Sequence, residues 1–312
     1  MPASFGQRRS RRGITRIEVV VIIVVVLIFL GVLIPGSGMF RETAKKKQCQ
    51  ENLMEIVLAA QQFHDHHNVI PYNYGVRGEH HGAATHGWSW MAQLLPYLGH
   101  DDIYKDAGIP TNTLLEAKNQ IARPIPVFLC PTDPRTAVGA STDTADLGVG
   151  FTPYVEVGYT NYKGVMGSNW EVGDAAWHNR GPGNYGDPFR HGDGTFYRDD
   201  FYRKKPFSAI TDGLSQTAIV GEALPDKSKW CAWPYNNSVN STCAIDPNAK
   251  QADGRTIDRA DWQNSFGFYS YHPGGLHFAF ADGSVRFIDD SIERNIYRAM
   301  STIAGGEEIT LP

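Results

Sequence analysis

A chain with four arginines in its first twelve residues and a run of sixteen uncharged residues from Val19 has few ways to begin folding. Arg8-Arg9-Ser10-Arg11-Arg12-Gly13 is followed by Ile14-Thr15-Arg16-Ile17-Glu18, and then by the apolar run from Val19 to Ile34. From Ile14 to Ile34 a helix would be about 31 Å long, enough to cross a bilayer core. The run is dense in Val and Ile, which alone would lean towards strand. In lipid every backbone group must be paired internally, so a lone segment of this kind has to be helical. The arginines place the leader in the cytoplasm by the positive-inside rule. A secretory signal peptide fits less well, because Pro35-Gly36-Ser37-Gly38 follows where an Ala-x-Ala cleavage site would be needed. An uncleaved anchor is the stronger rival. Glu18 stands out, since a carboxylate at the edge of hydrocarbon costs several kcal/mol by most estimates and usually marks function.

The arrangement Gly13, Ile14, Glu18 and the apolar run resembles the amino terminus of type IV prepilins and pseudopilins. The resemblance implies cleavage after Gly13 by a prepilin peptidase, N-methylation of Ile14, and an assembly role for Glu18. Pro35 falls where pilin helices often carry a proline. Ile14 and Arg16 replace the more usual phenylalanine and leucine. The expected segments are a leader over 1–13, a membrane or filament-core helix over 14–35, an amphipathic continuation over 36–70, and a globular domain over 71–312.

The remainder of the chain is long enough for one large domain or two small ones. Without the leader, 25 of the 29 basic residues face 33 acidic ones, so the mature form is near −8. A basic stripe for nucleic acid is absent. Cys49, Leu53, Ile56, Val57, Ala60 and Phe63 recur at helical spacing within a helix expected from about Arg41 to His67, ended by Asn68 and Pro71. That stripe needs a partner, and a β-sheet further on is the expected one. Trp88 to Leu98 reads as a short buried helix ended by Gly99, and Val127 to Pro134 as a short strand closed by a proline turn. Short strands are expected at Tyr159 to Val165 and Ala218 to Gly221. Leu276 to Ala281 and Val285 to Asp289 flank Asp282-Gly283, a strong hairpin signal, and Ser291 is placed to cap a closing helix. The expected fold class is α+β: a long N-terminal helix, part membrane and part amphipathic, packed on an antiparallel sheet with long loops.

Several motifs resemble one further family as a set, in order along the chain. They are Cys49 with Asn52-Leu53, Leu95-Pro96-Tyr97-Leu98, Phe128-Leu129-Cys130-Pro131, Thr211-Asp212-Gly213-Leu214-Ser215-Gln216-Thr217, and His272-Pro273-Gly274-Gly275 leading to Asp282-Gly283. The family is a large one of unknown function, abundant in planctomycetes, with a prepilin-type start and a His–nine residues–Asp-Gly finish. It implies a pilin-like protein of the periplasm or cell surface and supplies no activity.

Four cysteines allow three pairings. Cys231 and Cys243 lie close enough for a local staple, and Cys49 with Cys130 would then tie the helix to the domain. Their linear spacing is not a zinc pattern. His272 and Asp282 read as turn residues that need not meet. The cluster His64, Asp65, His66, His67 suits a helix C-terminus better than a metal. Asp187 and Asp193 lie in an oxygen-rich loop and are weak calcium candidates, so no cofactor is expected beyond that option. No nucleophile elbow, phosphate loop or metalloprotease pair occurs, and an enzyme is not expected. The expected function is a pilin-like structural subunit: single-pass in the inner membrane, with its globular domain in the periplasm or at the surface. Its expected partners are its own copies, other pilin-like subunits and the peptidase. The alternative is a membrane-anchored binding module displaying Trp170, Trp177, Trp230 and Trp233.

Overall fold

The computed structural model describes residues 13–76, 84–137, 140–141, 155–170, 188–251, 253–259, 261 and 263–311, with backbone alone at 27–40, 136–141 and 188. The chain divides into two compact units, Met1–Ala44 and Lys45–Pro312. Helical backbone over Arg16–His67 (α1) is shared between them, and each unit is described by itself. In the first, every apolar side chain described from Ile14 to Val26 is exposed. Among the described residues, no helix is long and apolar enough to cross a membrane.

The second unit is α+β. Short helices follow α1 at Trp90–Leu94 (α2), Asp101–Ala107 (α3) and Lys118–Ile121 (α4). A two-stranded antiparallel ribbon joins Ala140–Ser141 (β1) to Val157–Gly158 (β2). Then come Tyr162–Val165 (β3), Pro188–His191 (α5), Ala218–Glu222 (β4), Asn240–Ser241 (β5), Gly275–Phe280 (β6), Val285–Asp289 (β7) and Arg294–Ala299 (α6). The main sheet has the order β5-β3-β4-β6-β7; the β3–β5 pair is parallel and the others are antiparallel.

Alternation along the strands builds two cores. Leu276, Phe278 and Phe280 of β6 pack with Ile288, Tyr297 and Met300 on one face. Ala279 and Ala281 point the other way, into the cluster that holds Tyr162, Val220 and the apolar stripe of α1. All six stripe residues from Cys49 to Phe63 are buried, in a cluster that they share with the sheet residues Tyr162, Val220 and Ala279 and with Trp90, Met91 and Leu94 of α2. The helix ends at Asn68, which takes a left-handed φ of 57°. Ser89 caps α2 by accepting a hydrogen bond from the Ala92 amide, and left-handed Gly99 closes the following turn. The hairpin turns at Asp282-Gly283, where Asp282 Oδ1 accepts from the Ser284 amide at 2.9 Å.

Three expectations are corrected. The segment from Val127 is a 3-10 turn over Pro126–Phe128 rather than a strand, because Pro126 and Pro131 fix φ and remove donors on both sides. The residue at the N-cap of α6 is Glu293, while Ser291 binds back to Asp289. Cys231 and Cys243 are not bonded to each other. Cys243 lies in the cluster with Phe268 and Tyr297, where burial pushes its thiol up to about 12. Cys231 belongs to the segment paired with Tyr159 and Thr160.

Asp212 ties down the C-terminal segment. Its carboxylate accepts from the amides of Gly305 at 2.7 Å and Gly306 at 2.9 Å, and from Thr302 Oγ1 at 3.2 Å. Asp212→Ala is expected to cost about 1–3 kcal/mol. Limited proteolysis should then cut within 302–311 sooner, with urea unfolding reporting the loss.

Candidate functional site

Polar side chains gather where α1, the 3-10 turn and the sheet meet. Glu222 ends β4, a strand otherwise built of apolar residues and glycine, and one strand over His277 is the sole titratable residue of β6. The antiparallel register that sets Gly221 opposite Phe278 brings Glu222 beside His277. The His277 amide donates to Glu222 Oε2 at 2.8 Å, and its Nδ1 lies 3.1 Å from Oε1. His272 arrives from the turn before β6 and places Nε2 3.3 Å from the same Oε1. That turn needs its glycines: Gly274 has φ 82°, and a Cβ on Gly275 would stand 2.1 Å from the Ile288 carbonyl oxygen. For both rings to donate to one oxygen, His272 carries a proton at Nε2 and His277 at Nδ1.

Burial alone would raise the Glu222 carboxyl. Hydrogen bonds from His272 and His277, with their charge, outweigh it and hold the group down at about 2. The three side chains are 4% exposed or less, which makes this an ion cluster inside the domain rather than a surface pair.

A disulfide completes the group. Cys49 of α1 is bonded to Cys130, with their Cα atoms 5.3 Å apart, as the helix-to-domain tie requires. Cys130 Sγ is 3.8 Å from His272 Nε2. The Cys130 amide donates to Asn161 Oδ1, and Asn52 donates to the Leu129 carbonyl and to the Tyr162 hydroxyl. Tyr162 is raised well above its usual value, first by burial and then by the charge of Glu222. The ligand atoms of Cys49, Cys130, Glu222 and His272 all lie within 4.8 Å of one another. Outside them a groove of about 490 Å³ runs along α1, lined by Gln48 and Asn52 from the helix and by Leu129 and Pro131 opposite.

The other candidates sit apart from this cluster. Asp282 serves its turn and Asp212 the C-terminal segment, so His272 does not meet Asp282. Gly213 and Gly283 supply left-handed turns at φ 102° and 90°. His66 and His67 each place a ring nitrogen 3.2 Å from the Tyr97 hydroxyl. Asp193 accepts from the Ser168 amide and hydroxyl, both at 2.7 Å, and burial raises its carboxyl against those bonds. Asp187 lies outside the described residues. Trp170 and Trp233 are fully buried, Trp230 packs on Phe266, and Trp177 lies outside the described residues, so the described tryptophans do not form an open display. Sequence reading missed Glu222 and His277 as a pair. The available signal was a lone carboxylate closing an apolar strand and a lone imidazole inside an apolar hairpin.

Comparison with curated proteins gives no match, and comparison with solved structures gives none either. A family model matches residues 39–295, a span that takes in the disulfide, Glu222, both histidines, Asp212 and the Asp282-Gly283 turn. The chain belongs to the family described as protein of unknown function (DUF1559).

Proposed function

We propose that this chain is a type IV pilin-like structural subunit whose task is packing rather than chemistry. The observation that carries the reading is the surface of the first unit. Ten Val and Ile side chains from Ile14 to Val26 are 44% to 76% exposed, on every side of the helix. At about 25 cal/mol per Å², such a surface demands cover by lipid or by neighbouring subunits. Glu18 is embedded in it and is held locally by Thr15: the Thr15 amide donates to Oε2 at 2.7 Å, and the Glu18 amide lies 3.3 Å from Thr15 Oγ1. This is a capping box, which starts the helix and keeps the carboxylate aimed back towards Ile14.

In the proposed cycle the leader stays in the cytoplasm, a prepilin peptidase cuts after Gly13, and Ile14 becomes a methylated amine. Within a filament, Glu18 exchanges Thr15 for the Ile14 amine of a neighbouring copy. A buried charge is tolerable when so paired, and the pairing sets the axial register. The globular domain coats the outside, in the periplasm or at the cell surface.

Gly13→Ala is expected to leave the leader attached. Glu18→Val is expected to reduce filament assembly by at least about 100-fold, as losing a pairing worth about 3 kcal/mol per subunit would. Both should leave the domain from Lys45 onwards folded. Sheared-filament yield and domain circular dichroism check this, and normal filaments in both variants would contradict it. A membrane-anchored binding module is the second reading, favoured by the groove along α1. A ligand that saturates that groove in an unassembled protein would favour it over the first.

A further inference from the structure

We propose that Cys49, Cys130, Glu222 and His272 form a redox-gated site for a zinc-like divalent cation, closed while the disulfide is intact and opened by its reduction. Four ligand-type side chains converge here from four separate parts of the chain, and all are buried. The disulfide has an imidazole nitrogen 3.8 Å from Cys130 Sγ and a carboxylate 3.3 Å beyond that nitrogen. Zinc holds sulfur at about 2.3 Å and nitrogen or oxygen at about 2.0–2.2 Å, so neighbouring ligand atoms in a tetrahedron stand about 3.3–3.8 Å apart. The imidazole-to-sulfur and imidazole-to-carboxylate separations already have those lengths. The two sulfurs would move apart once their bond is broken.

A dithiol reductant supplies the two electrons and two protons. The S–S bond breaks, two thiols form, and the dithiol closes to its own disulfide. Metal entry then sends both thiol protons to solvent. His272 presents Nε2 as a lone pair, its proton passing to solvent. Glu222 supplies Oε1, and His277, bonded to that carboxylate through its ring and its amide, orients it from behind. Two thiolates, an imidazole and a carboxylate suit zinc and its spectroscopic substitute cobalt rather than calcium. The groove lies beside the site, because the residues flanking both cysteines line it. Linear spacing could not disclose such a site, since its members lie 81, 92 and 50 residues apart in succession.

The test uses the full chain in detergent, treated with a dithiol and then freed of it under argon. Cobalt(II) is added, followed by zinc. The expected result is one cobalt per folded chain, with thiolate-to-cobalt charge transfer and tetrahedral visible bands that zinc abolishes. Metal should protect Cys49 and Cys130 from alkylation, located by peptide mass spectrometry, while the oxidised protein binds none. His272→Ala should weaken binding by at least about 100-fold, the upper end of what losing even an outer partner costs. The wild-type spectrum and alkylation pattern stand even if that variant fails to fold. The proposal is overturned if the reduced, folded protein takes up no cobalt or zinc. It is equally overturned if metal protects Cys231 and Cys243 instead, or binds only after unfolding.

Discussion

Glu222→Ala lowers the unfolding free energy of the oxidised, metal-free protein by about 3–5 kcal/mol at neutral pH, the usual cost of stranding one side of a buried ion cluster. The effect is large because the carboxylate has no substitute: it accepts from the His277 amide, the His277 ring and the His272 ring at once. Removing it takes the acceptor from the His277 amide and ring and one partner from the His272 ring, all in the buried interior. Glu222→Gln keeps the shape and one oxygen, so it should lose less than the alanine variant.

The same group dictates an acid limb. Its carboxyl lies at about 2 in the folded protein, against 4.5 ordinarily. A carboxyl lowered by folding contributes stability that is complete above its unfolded value and lost as pH falls through its folded value. The contribution is on the order of 3 kcal/mol, so unfolding free energy should decline between pH about 4.5 and about 2. Urea titrations across that range should show the decline in the wild type and a flatter profile in Glu222→Gln. Parallel profiles would mean that the carboxylate is not ionised in the fold.

Replacing both Cys49 and Cys130 by alanine should cost roughly 4 kcal/mol. The bond closes a loop with a sequence separation of 81, and releasing it returns that much freedom to the unfolded chain. Beyond that global loss, α1 should gain a local opening of its own, because Cys49 joins the stripe of that helix to Cys130, just after the 3-10 turn. Amides between residues 49 and 63 should therefore exchange faster than those of β6. If exchange quickens evenly through the domain, the bond acts on the whole fold and not as a local tie.

The local parts of this fold could be read because local physics decides them. The stripe from Cys49 to Phe63 has helical spacing, and Asp282-Gly283 between alternating runs allows little but a hairpin. Fold class followed, because a half-apolar helix must find an apolar sheet. What escaped reading depends on partners far along the chain. Val127 to Cys130 looks like a strand until Pro126 and Pro131 are seen to deprive it of donors. Cys231 and Cys243 seemed close enough to bond, yet Cys243 follows β5 into the cluster around Tyr297 while Cys231 is held against Thr160. Glu222 and His277 are 55 residues apart, and only strand register places them together. His272 likewise looked like a turn residue, since nothing in its neighbourhood names the carboxylate and disulfide it meets.

The structural-subunit reading stands on what happens at Gly13. Mass spectrometry of the N-terminal peptide, from protein purified out of its native membrane, reports that directly. An N-methylated Ile14 as the first residue is the expected result. A peptide that still carries Met1 or Pro2, with Gly13 and Ile14 joined inside it, would contradict the reading.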